Sequence, residues 1–413
     1  MSNKTIIFGL VIFSTLLVLP GIQLITQVFP EAKIVGMIPA PKPHLSWAGW
    51  FSGNLQEKSL TWFEQKAGFM NFLMKVDGQI SYTFFHEASP GSNIIVGKEN
   101  FLFVDHYVRS SQDLHVRPVS NLEPMIRQLK ELQKLLQKRG VSFVLVISPN
   151  KARVYSEYVP SRYLVDKRKT KNTYDHSISL LKKHKINYVD GPEYFLRNKN
   201  TLPHPLFPRS GVHWSYYGVC KFSQLVVQEL EHQMSKNLGE LICDDVSTST
   251  TPIGSDGDLA ELMNIWTFQS LTSYPNFVPN VAVRRDTGAF MPAMMYVGDS
   301  FTQTLLTAMD GKIQRASDFL VYNRFCITFP GNARRRIHGG PAKLKKSILS
   351  KDAVIIQIQE SGIRKAGFGF VENALAALHP AKYGHLYRER KRALSNPEEA
   401  TDILQPGIEA GED

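Results

Sequence analysis

Met294-Met295-Tyr296-Val297-Gly298-Asp299-Ser300-Phe301-Thr302 decides how this chain is read. An apolar run with a β-branched Val leads into Gly298-Asp299-Ser300, and a helix-compatible segment, Gln303 to Met309, follows. The pattern predicts a strand, a tight turn and a helix start, with one hydroxyl at the turn. A serine so placed faces the free N–H groups of a helix, which stabilise negative charge beside it. The bland use of the same position is an N-cap, because Asp or Ser before a helix satisfies its first amides. Spacing alone does not separate the two roles. The surrounding chain has to.

On the carboxyl side, Asp318 to Phe329 reads as one or two strands around Tyr322-Asn323-Arg324, and Gly331 to Lys346 is a basic segment. Asp352 to Ile358 is a further buried strand, ending in Gln359-Glu360. From Lys382 the chain turns polar and is expected to be disordered or loosely attached. On the amino side, the Phe207 to Gly218 loop carries His213 and runs into a helix reaching about His232. Ser255-Asp256-Gly257-Asp258-Leu259-Ala260 is an acidic turn before a helix. It lacks the later ligands and terminal Glu of a calcium loop. Earlier still, the helical spacing of Asn121 to Arg139 ends at Gly140, and the strand Val141 to Ile147 follows, leading into Pro149-Asn150-Lys151. A helical segment, Thr173 to Lys185, then precedes the strand Ile186 to Asp190. Helix and strand alternate, which predicts an α/β protein with a mainly parallel sheet flanked by helices. Active sites of such sheets lie at the carboxyl ends of the strands, where Asn150, Lys151, Asp190 and Ser300 fall.

The amino terminus is of another kind. Thr5 to Val28 is apolar almost throughout and without charge, long enough for a transmembrane helix. Lys4 and the α-amine precede it while Glu31 and Lys33 offset each other, which favours a signal anchor with the body outside the cytoplasm. Pro30 to Pro43 reads as an extended spacer, and Ser46 to Phe85 as an aromatic-rich helical region expected to pack onto the globular body, an interfacial aromatic belt being the alternative. A hairpin is expected over Asn93 to Phe103. The divisions drawn are therefore 1–29, 30–90, 91–380 and 381–413. In 413 residues a net charge of +11 indicates anionic surroundings such as phospholipid or acidic polysaccharide. No zinc-finger spacing, RNA-binding signature or aromatic-interleaved basic stripe argues for nucleic acid. Cys220, Cys243 and Cys326 show no metal spacing and are read as buried thiols, with a Cys220–Cys243 disulfide open to an oxidising compartment.

Gly298-Asp299-Ser300-Phe301, preceded by Gly211-Val212-His213-Trp214, resembles the SGNH-hydrolase-like domain of the AlgJ/AlgX alginate O-acetyltransferase family. Val96-Gly97-Lys98 to Leu102-Phe103, Pro149-Asn150-Lys151 with Tyr155, Gly257-Asp258-Leu259 and Gly367-Phe368-Gly369-Phe370 extend the likeness from about Gly91 to Glu372. The resemblance implies an SGNH fold in a permuted motif order, the His segment before the nucleophile. It implies acetyl transfer to an exported, anionic polysaccharide, fed by a membrane-bound O-acyltransferase partner, with no cofactor and no metal. It places the chain in the cytoplasmic membrane with its catalytic body on the periplasmic side. The anchor, and the lack of room for a carbohydrate-binding module after Glu372, are more similar to AlgJ than to AlgX.

The resemblance makes Ser300 the nucleophile and His213 the base. One position departs: the family has Asp-x-His-Trp, and this chain has Gly211 where that aspartate stands. The aspartate fixes the imidazole tautomer, and its loss in serine proteases costs roughly 10⁴ in turnover. Asp256, Asp258 and Glu360 are the candidate replacements, Asp258 preferred because it lies in a family-like segment. Asn323, Arg324 and Lys151 are candidate substrate-binding residues. An acetyl-esterase on the same residues and a non-catalytic scaffold of an export complex are the alternatives.

Overall fold

The computed structural model describes residues 3–37, 40–112, 122–164, 173–337 and 340–393. By internal packing they form two units, Met1–Ile94 with Asp258–Leu271, and Ile95–Gly257 with the chain from Thr272 onward. The return of 258–271 to the amino-terminal unit was not foreseen, and Asp258 goes with it.

In the first unit, α1 (Asn3–Thr26) is the long apolar helix expected, with a mean hydropathy of 2.4 and exposed flanks, and it is a candidate membrane span. Three short helices follow: α2 (Trp47–Phe51), α3 (Asn54–Lys66) and α4 (Met70–Phe85). Ser46 caps α2 by accepting from the Gly49 amide at 3.1 Å. Asn264 bonds both the amide and the carbonyl of Val35, and Gln79 accepts from the amides of Trp266 and Thr267. These bonds explain why the segment after Asp258 belongs here. Trp47, Trp50, Phe51, Phe63, Phe72, Phe84 and Phe85 of this unit are exposed.

The second unit is built on one sheet of seven strands: β1 (Ser142–Ser148), β2 (Tyr188–Asp190), β3 (Ala293–Gly298), β4 (Ala316–Val321), β5 (Phe325–Phe329), β6 (Ala333–Arg336) and β7 (Ala353–Gln359). Their order is β6-β5-β4-β3-β7-β1-β2. From β4 to β2 every pairing is parallel, while β5 and β6 turn back as an antiparallel edge. Side chains alternate across it. Met294 and Tyr296 of β3 join one core with Phe301, Leu305 and Met309, whereas Met295 and Val297 join the other with Leu129, Leu132 and Phe370.

Helices cover both faces, as the alternation of elements requires. On one lie α5 (Leu122–Gln137) and α8 (Phe370–Leu378), on the other α6 (Tyr216–Met234) and α7 (Ser300–Met309). The apolar stripe of α5, Ile126, Leu129, Leu132 and Leu136, is wholly buried, each residue contributing about 1.5–3 kcal/mol of hydrophobic stabilisation. The polar carboxyl end is more ordered than its composition suggested. Pro380–Ala393 is a helix whose Tyr383 donates to Glu131 and whose Arg390 donates to the Phe368 carbonyl; residues 394–413 lie outside the described residues. Cys220 and Cys243 are joined in a disulfide between α6 and the segment after it, and Cys326 is a buried free thiol.

Candidate active site

Gly298 ends β3 and Asp299 turns the chain into α7. A side chain on Gly298 would lie 2.1 Å from Thr302 Oγ1 and 2.7 Å from Gln357 Oε1, so only glycine allows the close approach of helix and sheet here. Gln357 Oε1 accepts from Thr302 Oγ1 at 2.7 Å and from the Asp299 amide at 3.3 Å, while its Nε2 donates to Ser148 at 2.7 Å. One buried glutamine thus bridges β7, β1 and the turn.

Asp299 is the cap. One carboxylate oxygen accepts from the Phe301 amide at 3.0 Å and the other from the Gln359 amide at 3.1 Å. Its carboxyl is pushed up to about 6, chiefly by burial, against the pull of these amides and of the nearby His213. With the capping duty taken by Asp299, the Ser300 hydroxyl is released for another partner. That partner is His213, whose Nε2 lies 2.8 Å from Ser300 Oγ.

His213 arrives on the loop that leads into α6, on the same face of the sheet as α7, and that loop is held at several points. Lys151 is buried, and its ammonium donates to the carbonyls of Arg209 and Gly211 at 2.8 Å each. Those bonds make Lys151 a brace of the histidine loop. Ser215 caps α6 by accepting from the Gly218 amide and donates to the Pro205 carbonyl. Trp214 is buried, donates to Thr304 of α7 and meets Phe301 edge-on, while Phe301 also packs on the His213 ring at 4.7 Å. The histidine loop and the serine helix are therefore locked by two aromatic residues that immediately follow His213 and Ser300.

Position 211 has its own reason for being glycine. A Cβ there would lie 2.5 Å from the Ser255 carbonyl oxygen and 2.8 Å from that of Asp256. Ser210 Oγ also donates to the Asp256 carbonyl at 2.9 Å, so the Gly254–Gly257 turn packs directly onto the histidine loop. Asp256 is buried in that contact, and its charge raises the Tyr216 hydroxyl at the start of α6, second to burial itself. Asp258 instead opens the helix Asp258–Leu262, half-buried, in the amino-terminal unit. Glu360 is bound by Arg153 Nε at 2.7 and 2.8 Å.

Asn323 and Arg324 form the β4–β5 turn, where Asn323 donates to the Phe368 carbonyl. The register places Gly298, Val321, Phe325 and Arg336 side by side across four strands, so this turn and the free edge stand at the Ser300 end of the sheet. In the sequence Trp214 is named within the histidine motif and Gln359 at the end of its strand, but Gln357 is not. The signal for the glutamines was there: two amides on one face of the otherwise apolar run Ala353–Gln359. Among the described residues no group of three His, Cys, Asp or Glu could hold a metal.

The parallel sheet, its helical layers and the strand-end turn define an SGNH-like α/β protein. The family model described as the SGNH hydrolase-like domain of the acetyltransferase AlgX matches residues 94–326, more than half of the chain, and the chain belongs to that family. A relative described as a probable alginate O-acetylase AlgJ, from Pseudomonas aeruginosa, is 34% identical over 80 residues, which is 19% of this chain and 19% of that protein. Among solved structures, the O-acetyltransferase domain of Pseudomonas putida AlgJ aligns over 72% of this chain and 99% of its own, at 16% identity and a TM-score of 0.45. Pseudomonas aeruginosa AlgX aligns over 68% of each chain, at 14% identity and a TM-score of 0.43. Bacillus cereus PatB1 aligns over 65% of this chain and 96% of its own, at 11% and 0.40.

Proposed function

We propose that this protein is a serine acyltransferase that moves acetyl groups onto hydroxyls of an exported anionic polysaccharide such as alginate. The observation that carries this reading is the 2.8 Å contact between His213 Nε2 and Ser300 Oγ at a strand end. In the first half-reaction His213 takes the hydroxyl proton as Ser300 Oγ attacks the acetyl carbonyl. The carbon–oxygen or carbon–sulfur bond to the donor breaks, the proton passes from His213 to the leaving group, and acetyl-Ser300 remains. In the second, His213 takes a proton from a sugar hydroxyl, the sugar oxygen attacks the ester, and Ser300 leaves with that proton. The Ser300 amide at the first turn of α7 is placed to hold the oxyanion, since the Phe301 amide is engaged by Asp299 and that of Thr302 by the Asp299 carbonyl.

Asp256 is the carboxylate we place behind His213. The turn that carries it fills the space at Gly211, so the acid comes from the neighbouring segment rather than from the histidine's own loop. A buried carboxylate needs a charged or hydrogen-bonding partner, and the histidine loop is what this turn packs on. Asn323 and Arg324 remain the proposed contacts to the glycan, joined by Arg334 and Arg336. These two arginines flank the Phe325 ring at 4.6 and 5.9 Å and are exposed on the edge strand. Acetyl supply through a membrane acyltransferase, and an extracytoplasmic location in which the Cys220–Cys243 disulfide persists, complete the proposal.

The test is turnover of p-nitrophenyl acetate by the full chain, with and without acidic oligosaccharide. A nitrophenol burst absent from Ser300→Ala, with acetylated sugar as product, is the expected result. Free acetate alone would make the protein an esterase, and equal rates in both proteins would make it a scaffold.

A further inference from the structure

The helices α2, α3 and α4 expose more aromatic surface than a soluble segment tolerates: Trp47 is 80% exposed, Phe51 82%, Phe84 76% and Phe85 68%. We infer that these helices form a collar seated in the outer leaflet of the membrane that α1 crosses, with lipid as the occupant of their apolar faces. The inference rests on α1 being a span.

The collar is fastened to α1 at a definite depth. The elbow between α3 and α4 abuts that helix: the Gly68 amide donates to the Pro20 carbonyl at 3.2 Å, and a Cβ on Gly68 would lie 2.5 Å from Pro20 O and from Gln23 Cβ. Phe69, beside it, meets Phe29 at 5.9 Å. Pro20 stands six residues before the end of α1 at Thr26, about 9 Å below it at a rise of 1.5 Å per residue. That is the depth, roughly 5–10 Å, to which interfacial helices sink. At such a depth polar groups must be satisfied locally. Gln23 does so, its Nε2 donating to the Phe29 carbonyl at 2.7 Å while its Oε1 accepts from the Phe29 amide at 3.2 Å.

The residue types fit a lipid boundary better than a protein partner. Trp gathers at membrane interfaces, and Trp, Phe and Leu line the buried face of interfacial helices; here they follow directly on the candidate span. In α3 and α4 the acidic Glu57, Glu64 and Asp77 offset Lys58, Lys66 and Lys75, so attraction to anionic headgroups is not what seats them. The collar should therefore sit equally well on zwitterionic lipid.

The full chain in phosphatidylcholine nanodiscs, with nitroxide labels at Phe51→Cys or Phe84→Cys in a Cys326→Ser background, tests this. Accessibility to oxygen and to a nickel chelate gives the depth, with Leu16→Cys as the lipid reference and Lys345→Cys as the water reference. Labels at both collar positions reading oxygen over nickel, at headgroup depth, is the expected result. Collar labels reading water while Leu16→Cys reads lipid would overturn the collar and leave the span standing. Water at Leu16→Cys would overturn both. Immobile labels shielded from both reagents would replace lipid by protein as the occupant.

Discussion

The two halves of the Ser300–His213 pair are held in different ways. Ser300 sits on a continuous element, β3 into α7, and its turn is fixed by bonds that Asp299 and Gln357 make between the turn and β7. His213 sits on a loop, held by Lys151, by Trp214 and by the Gly254–Gly257 turn at Gly211. A strand-anchored group needs few outside helpers, whereas a loop-borne group is positioned by residues from several segments. Substitutions on the base side should therefore act at longer range in sequence.

The largest expected effect is on the base itself. His213→Ala should lower turnover of an activated acetyl ester by roughly 10⁴–10⁶, the range seen when a member of such a unit is removed. Next comes the acid. Asp256→Asn should cost about 10³–10⁴ in kcat with little change in KM and an altered pH profile, while Asp258→Asn should leave both near the parent values. If the two behave in the reverse order, the base side is organised by the amino-terminal unit instead. Gly211→Ala should destabilise the protein by about 1–3 kcal/mol in urea unfolding, because the added methyl meets backbone carbonyls that cannot rotate away. Gly211→Asp should do worse, although it restores the family's motif. That outcome would show the loop and the turn to have adapted to each other.

On the nucleophile side the expected signature is in pH rather than in rate. Folded Asp299 keeps its proton up to pH about 6, whereas the unfolded chain releases it near 3.8. Between those values the folded state binds more protons, so stability falls as pH rises through the window, by roughly 2–3 kcal/mol. Asp299→Asn should flatten that slope in melting curves taken from pH 4 to 7. It should also lower stability throughout, since an amide cannot accept from both the Phe301 and the Gln359 amides. The smallest effect belongs to the edge: Arg334→Ala with Arg336→Ala should raise KM for an acidic oligosaccharide several-fold and leave kcat unchanged, an effect that fades at high salt.

The same contrast governs what was legible in the sequence. The strand, turn and helix at Met294–Met309 could be read because apolar period, glycine and cap all fall within a dozen residues. His213 could be found only through its motif, and the loop's supports could not, because Lys151 and Asp256 are distant in sequence from what they hold.

The central claim is a covalent acetyl on Ser300. The full chain, given an activated acetyl donor and digested for peptide mass mapping, should carry one acetyl group on the Ser300 peptide. That group should disappear when acidic oligosaccharide is added and reappear on sugar hydroxyls. No acetyl on Ser300 under turnover conditions, or unchanged sugar acetylation by Ser300→Ala, would contradict it.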